Sequence, residues 1–429
     1  MFATVRRQAA LLLALALVLP LIAACGGGGA AQPTAAPAPT TAPAPTTAPA
    51  PTTAPAPTTA PAEPTKAPEA TAAPAEPTKA PEATAASGGA MTEFTPRNVT
   101  AKLTGSGASF PDPMYQKWIS EYKSVVPTVE INYQSVGSGQ GRKDFFAGVT
   151  DFGASDKYAS DEELSKYGKP VLHIPTVLGA VVATYNLPGV ENLQFSGETL
   201  AEIFLGKITK WNDPKIAADN PGVQLPNMDI TVVHRSDGSG TTSIWTNYLS
   251  SVSPEWKSAV GSGDSVKWPV GIGGEKNPGV AAAVKQTEGA IGYVELIYAI
   301  SNNLPAPAIK NAAGKYVKAS LDTTSAAAAA FLPKTPDDLR VNIVNPPAGT
   351  PEADSAYPIA GYTWILVNKE MADEAKAQAL TDFLAWALIK GSNAAKELGY
   401  APLPTSVQAK ALGLLQQVTV NGKPALAMK

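Results

Sequence analysis

The 429-residue chain has a single cysteine, Cys25, and only two histidines, His173 and His234. One cysteine excludes a disulfide framework, and so few soft ligands argue against a structural zinc or a histidine-rich metal centre. There is no basic surplus either: 33 Lys and Arg stand against 36 Asp and Glu, a formal net charge of −3. A nucleic-acid binder would ordinarily carry the opposite balance. A mildly acidic chain can still hold an anion, but local donors must then do the work rather than the overall field. Neither a Gly-x-Ser-x-Gly elbow nor a Gly-x4-Gly-Lys-Ser/Thr loop occurs, which weighs against a serine hydrolase or a P-loop enzyme.

A second scarcity is local. From residue 26 to about residue 90 there is no large apolar side chain, only Pro-Ala-Pro-Thr-Thr-Ala repeats and two longer copies that include Glu and Lys. With nothing to bury, nothing repays the ordering entropy, so an extended polyproline II tether is expected. Roughly 65 residues at about 3.1 Å each give a reach on the order of 200 Å. It reads either as a stalk, with threonines that are candidate O-glycosylation positions, or as a neutral spacer. Before it, Arg6 and Arg7 precede an apolar run over residues 9–19 and the tetrad Ile22-Ala-Ala-Cys25. That run is too short for an ordinary membrane span and reads as a secretory signal. The tetrad resembles a bacterial lipobox, which implies lipidation of Cys25; the alternative is an ordinary cleaved signal. The expected division is a signal peptide over 1–24 and a tether over 25–98.

What the rest of the chain has in abundance is one device used repeatedly. The stretch His234-Arg-Ser-Asp-Gly-Ser-Gly-Thr-Thr-Ser243 follows an apolar, β-branched run (Ile230, Thr231, Val232, Val233) that predicts a strand. Ile244, Trp245, Tyr248 and Leu249 after it are spaced for one face of a helix. Glycine permits close backbone approach, and the first N–H groups of a helix point outward unpaired, so such a turn suits an anion. Taken alone it is equally a polar loop that touches nothing. Similar turns recur at Gly105-Ser-Gly-Ala-Ser-Phe-Pro111, Gly137-Ser-Gly-Gln-Gly141 and Asp151-Phe-Gly-Ala-Ser-Asp156. Strand, Gly-Ser turn and helix in succession predict an α/β fold with ligand at the carboxyl ends of the strands.

Further along, strands are expected over 177–185 and 362–367, with the stretches 266–272 and 289–295 between them. Helices are expected over 142–149, around Leu200, just after Pro278, over 326–331, and in a long stretch through Leu380 and Leu388. The region from 301 to 351 otherwise reads as irregular.

Five separated blocks carry a resemblance: Leu103-Thr-Gly-Ser-Gly-Ala-Ser-Phe-Pro-Asp-Pro113, Asp151-Phe-Gly-Ala-Ser-Asp156, Arg235-Ser-Asp-Gly-Ser-Gly-Thr241, Val266-Lys-Trp-Pro-Val-Gly271 and Gly289-Ala-Ile-Gly-Tyr-Val-Glu295. Together and in this order they resemble the phosphate-binding proteins of bacterial phosphate-specific ABC transporters, over nearly all of residues 99–429. The resemblance implies the two-lobed type II periplasmic binding protein fold, with two crossing strands as hinge. Lobe 1 would comprise 99–176 and 359–429, and lobe 2 would comprise 177–358. It also implies anion contacts at Ser109, Phe110, Ser138, Asp156, Arg235, Ser239, Gly240 and Thr241, with Asp237 pairing Arg235. Gly139 departs from the family's usual serine, which leaves a contact there open, and His234 receives no role.

The implied chemistry is coherent. Hydroxyls, backbone N–H groups and the fork of Arg235 donate to phosphate oxygens, while Asp156 accepts from the anion's own O–H. Fully ionised sulfate has no such proton. Taken without the resemblance, the alternative for Asp156 is a helix N-cap. The expected function is non-enzymatic, extracytoplasmic capture of inorganic phosphate and delivery to a membrane ABC permease. The protein would act as a monomer without cofactor, metal or nucleic acid, lipid-anchored through Cys25. Arsenate shares phosphate's shape and proton, and the motifs do not separate the two. The alternatives are a surface phosphate sensor or adhesin using the same pocket, and a phosphatase.

Overall fold

The structure, a computed structural model, describes residues 93–427. The signal peptide, Cys25 and the Pro/Ala/Thr-rich tether lie outside the described residues. Among those described, no helix is long and apolar enough to cross a membrane.

The strands in chain order are β1 (Ala101–Gly107), β2 (Val129–Ser135), β3 (Phe152–Ser155), β4 (Val171–Tyr185), β5 (Gln194–Phe195), β6 (Thr231–Arg235), β7 (Ile272–Gly274), β8 (Ala290–Glu295), β9 (Ala308–Lys310), β10 (Tyr316–Val317), β11 (Ala360–Asn368), β12 (Thr419–Val420) and β13 (Lys423–Pro424). Eight of them form one sheet in the order β2-β1-β3-β11-β4-β8-β6-β7, and β10, β9 and β5 form a small second sheet. Strand direction locates the site. β1 runs parallel to β2 and β3, and β6 runs parallel to β7 and β8. β11 is antiparallel to β3 and to β4, and β4 is antiparallel to β8. The β6–β8 group therefore points against the β1–β3 group, and the carboxyl ends of the two groups face each other.

The molecule is two-lobed, with one lobe built around β1, β2 and β3 and the other around β6, β7 and β8. The chain leaves the first through β4 and returns through β11. β4 is 15 residues long and buried at all but its first position, which is why it reads as a nearly unbroken apolar run rather than an alternating one. Its residues 171–180 pair with β11 and its residues 181–185 pair with β8. Helices cover both faces. Asp112–Val125 buries Met114, Tyr115, Trp118 and Tyr122 at helical spacing, and Gly240–Val252 buries the stripe Ile244, Trp245, Tyr248 and Leu249. Each such large side chain contributes about 1.5–3 kcal/mol by leaving water.

Several boundaries differ from the sequence expectation for identifiable reasons. The helix expected over 142–149 is Ser138–Phe146. It starts earlier because Gly137, at φ 90°, turns the chain and its carbonyl accepts from the Gly141 N–H at 2.9 Å. Of the 266–272 stretch only its last residue, Ile272, lies in a strand, β7. The helix expected over 326–331 is Leu321–Ala329, started by a capping box between Ser320 and Thr323. β9 and β10 also occupy the stretch expected to be irregular. Asp156 caps no helix: the next one, Asp161–Tyr167, is capped by Ser160 with Glu163.

Candidate functional site

The wall from the first lobe is assembled from three turns. After β1, Gly107 takes φ 148°, and a Cβ there would lie 2.0 Å from the carbonyl oxygen of Ala154. Only glycine lets the β1 and β3 turns approach so closely. This delivers Ser109 and Phe110, both buried. The Ser109 Oγ accepts from the N–H and Nδ2 of Asn277, at 3.2 and 3.1 Å, so its own proton is left to donate. The Ser109 carbonyl accepts from the Tyr298 hydroxyl at 2.5 Å, which fixes the peptide that carries the Phe110 N–H, and the Phe110 carbonyl accepts from the Tyr400 hydroxyl at 2.7 Å. Ser138 stands in the first turn of its helix, and its Oγ lies 3.2 Å from the Asp156 N–H and 3.4 Å from Asp156 Oδ2.

The second lobe supplies the opposite wall. Ser239 caps the helix Gly240–Val252, its Oγ accepting from Thr242 N at 3.0 Å. Gly240 and Thr241 then present the outward N–H groups of the first turn. A Cβ on Gly240 would lie 2.6 Å from Ser138 Oγ and from the Asp156 Cβ, so glycine is what allows this helix to close on the first lobe. Arg235, at the end of β6, is buried and forked against Asp237: Nε donates to Oδ1 at 2.7 Å and Nη2 to Oδ2 at 2.5 Å. Nη1 reaches Thr241 Oγ1 at 3.4 Å. Every residue named from the sequence for the anion site therefore lies on one of two facing walls, while Cys25 lies outside the described residues.

The electrostatics divide the two acids. Burial would raise both. At Asp237 the Arg235 ion pair and the Lys276 N–H outweigh it, and the carboxyl falls below its usual range. At Asp156 burial wins, pushing the carboxyl up to about 7 against the Thr363 hydroxyl, Arg235 and Ser138. One carboxylate thus neutralises the arginine while the other sits where its protonation can respond to the ligand.

The sequence reading missed Asn277. Its Nδ2 also donates to Thr241 Oγ1 at 3.2 Å, and its Oδ1 accepts from Glu295 N at 3.0 Å, so the amide joins a hydroxyl from each wall. The signal was a further strand-to-helix turn, Gly274-Glu-Lys-Asn277, with asparagine in place of serine. The open question at Gly139 also has a geometric answer: its N–H donates to the Gly238 carbonyl across the cleft at 2.8 Å. His234 stacks on Trp268, ring centroids 4.8 Å apart, and its Nδ1 lies 3.0 Å from the Arg235 carbonyl. The His173 Nε2 accepts from Ala159 N, and burial pulls this imidazole down to about 3. Neither histidine is paired with a serine hydroxyl. Beside Asp156 a cavity of about 230 Å³ runs between Ile244 and Asn247 on one side and Tyr158, Tyr362 and Trp364 on the other.

Residues 62–390 match the family described as PBP superfamily domain. Proteins named Phosphate-binding protein PstS are similar over most of this chain. That of Pasteurella multocida is 46% identical over 71% of this chain and 87% of its own. That of Xylella fastidiosa is 44% identical over 72% and 83%. That of Methanocaldococcus jannaschii is 40% identical over 72% and 84%. Among solved structures, a human phosphate binding apolipoprotein aligns over 75% of this chain and 99% of its own, with TM-score 0.59 and 20% identity. A phosphate binding protein from Stenotrophomonas maltophilia aligns over 73% and 94%, with TM-score 0.55 and 21% identity. At such identities these structures speak for the fold alone.

Proposed function

The chain belongs to the PBP superfamily and, within it, to the phosphate-binding PstS proteins, and from that premise we propose that it captures inorganic phosphate outside the cytoplasm and delivers it to an ABC permease for import. The observation that carries this reading is the position of Asp156, a buried acceptor with its pKa near 7 among convergent donors. Ser109, Ser138, Ser239 and Thr241 offer hydroxyls. Phe110, Gly240 and Thr241 offer backbone N–H groups, and Arg235 offers the edge of its guanidinium not taken by Asp237. A ligand satisfying all of them needs several acceptor oxygens and one proton to give back. Hydrogen phosphate has both.

Sulfate presents only acceptors. In a dry cleft it would set an oxygen against the Asp156 carboxylate, leaving buried charged groups unpaired at about 1–3 kcal/mol or more. Discrimination by an unpaired buried group reaches roughly 10⁴-fold in well-built sites. The same donors suit arsenate, which carries the same proton. Because Asp237 neutralises Arg235, the anion is held mainly by hydrogen bonds and helix-terminal dipoles rather than by a bare cation.

Binding proceeds in two stages. The anion first meets one wall, and rotation about β4 and β11 then brings the other over it. We take residues 99–176 with 359–429 as lobe 1 and residues 177–358 as lobe 2. Cys25 is the lipid anchor, the Pro/Ala/Thr tract holds the binding domain off the membrane, and the protein acts as a monomer. It performs no chemistry on its ligand. Calorimetric titration with phosphate and sulfate at one ionic strength tests the reading: tight phosphate binding with no measurable sulfate heat is expected. Equal affinities for the two ions would overturn it.

A further inference from the structure

A second charged assembly spans the cleft without pointing at the anion. Arg142 lies one turn beyond Ser138 in the helix Ser138–Phe146, and its side chain is only 5% exposed. Within the first lobe its Nε donates to Glu163 Oε1 at 3.0 Å. Its Nη1 donates to Ser155 Oγ at 3.0 Å and to the Ser138 carbonyl at 3.4 Å. It therefore braces two residues that flank the anion, Ser138 itself and the neighbour of Asp156. The remaining nitrogen, Nη2, crosses the cleft to Asp264 Oδ2.

Asp264 belongs to the second lobe, in the loop between the helix Pro254–Ala259 and β7. Its backbone carbonyl accepts from Ser239 N at 2.8 Å, which fixes the cap of the anion-facing helix. Its Oδ1 takes Lys157 Nζ at 3.4 Å, from the residue after Asp156. One continuous path thus runs from Ser138 through Arg142 and Asp264 to Ser239, and a shorter one runs from Lys157 back to Asp264.

The partners differ in what opening would cost them. Arg142 keeps Glu163 and its serine contacts inside its own lobe, so its desolvation is already offset there. Asp264, 19% exposed in the side chain, gains both cations only when the lobes meet. A buried ion pair whose desolvation is mostly met beforehand is the case in which the Coulomb term favours association. Resting on the reading of the cleft as a phosphate site, we infer that Arg142 and Asp264 form a closure clasp that positions Ser138 and Ser239 and sets the rate at which phosphate is released. They are positioning residues, with no direct contact to the ligand.

The test is phosphate release by stopped flow, followed through tryptophan fluorescence, since Trp364 lines the cavity beside Asp156. Asp264→Asn keeps the shape and the backbone carbonyl but removes the charge. Its dissociation rate is expected to rise about tenfold with little change in association rate, as for truncated buried charge pairs. Asp264→Glu should restore slow release. Glu163→Gln touches the same guanidinium without crossing the cleft and should release at close to the wild-type rate. The clasp is overturned if Asp264→Asn releases phosphate as slowly as wild type, if Glu163→Gln matches it, or if the change lies wholly in association. Should Asp264→Asn fail to fold, Arg142→Lys, which loses the forked reach, is read in the same way. Small-angle scattering without anion gives a readout independent of ligand identity: the radius of gyration should increase in Asp264→Asn. A wild type that binds no phosphate would refute the proposed function, while the scattering comparison would still decide the clasp.

Discussion

The Thr363 hydroxyl donates to Asp156 Oδ1 at 2.8 Å, tying the returning strand β11 to the residue that reads the anion's proton. At the same point the β4–β11 register shifts, with Thr363 opposite Val177 and Trp364 opposite Pro175, which leaves Thr176 of β4 as the extra residue of a bulge. The Thr363 hydroxyl occupies Oδ1, while Oδ2 has only the long 3.4 Å contact from the Ser138 hydroxyl.

That hydroxyl opposes burial, the larger influence on Asp156. Thr363→Val keeps the volume and removes the donor, so the Asp156 pKa should move further above about 7. Less of the accepting carboxylate is then present near neutral pH. Losing one hydrogen bond to a charged group corresponds to about 1.5–3 kcal/mol, or phosphate binding weaker by at least roughly tenfold. Calorimetry near neutrality should show that loss, and the deficit should shrink in alkaline solution. A deficit that stays constant with pH would mean the hydroxyl acts only on packing.

Asp156 also predicts the pH dependence of selectivity. Its carboxyl is raised from 3.8 to about 7, so the folded protein keeps this proton over a window in which the unfolded chain has lost it. Anion-free stability contributed by this group therefore falls as pH rises from about 3.8 to about 7, and changes no further above that. For ligands the consequence is opposite in kind: a protonated Asp156 is a donor, so sulfate should compete better as pH falls below about 7. In Asp156→Asn the amide donates at every pH. That variant should bind sulfate with little pH dependence, whereas sulfate rejection equal to wild type would end the acceptor argument.

Much of the site was visible in the sequence because backbone demands are written in residue type. Gly107, Gly137 and Gly240 mark places where a Cβ would strike the opposing chain, and each sits beside a hydroxyl. The strand before His234 and the stripe at Ile244, Trp245, Tyr248 and Leu249 were readable for the same reason, since burial imposes period. Asn277, Arg142 and Asp264 were not, because their meaning depends on partners 36 to 168 residues away. An isolated Arg142 reads as a helix surface residue. Its bonds to Glu163 and Ser155, distant in sequence, and to Asp264 of the other lobe make it a buried one. The early start of the helix Ser138–Phe146 was likewise hidden, since three glycines in five residues carry no helix propensity.

Asn277 supplies the next expectation. Its amide meets Ser109 from one wall and Thr241 from the other, and Glu295 N holds its carbonyl so that the NH₂ faces the hydroxyls. With Oγ atoms engaged as acceptors, both hydroxyl protons are free for the anion. Asn277→Asp reverses this, since the carboxylate would take those protons and set a negative charge beside the ligand. Phosphate affinity should fall by at least about a hundredfold. Asn277→Ala, which leaves the hydroxyls unoriented, should fall by about tenfold. An Asp variant no worse than the Ala variant would show that the amide merely fills space.

The start of the folded region yields a prediction about stability alone. Sequence places the boundary near residue 99, yet Arg97 is already committed to the core. Its N–H and Nε both donate to Asp382 Oδ2 at 2.9 Å, and its Nη2 donates to Oδ1 at 2.6 Å. Asp382 is fully buried in the long helix Glu374–Lys390, while the Arg97 side chain is 31% exposed. Removing Arg97 would leave a buried carboxylate without its counter-charge, a loss of about 2–3 kcal/mol after allowing for the arginine's exposure to solvent. Arg97→Ala and Asp382→Asn should each lower the urea unfolding midpoint, and the double variant should lose much less than the sum. Phosphate affinity should stay unchanged in all three, because the pair shares no hydrogen bond with the anion's ligands. Additive losses would show that the two residues act separately and that the binding domain begins, in energetic terms, after Arg97.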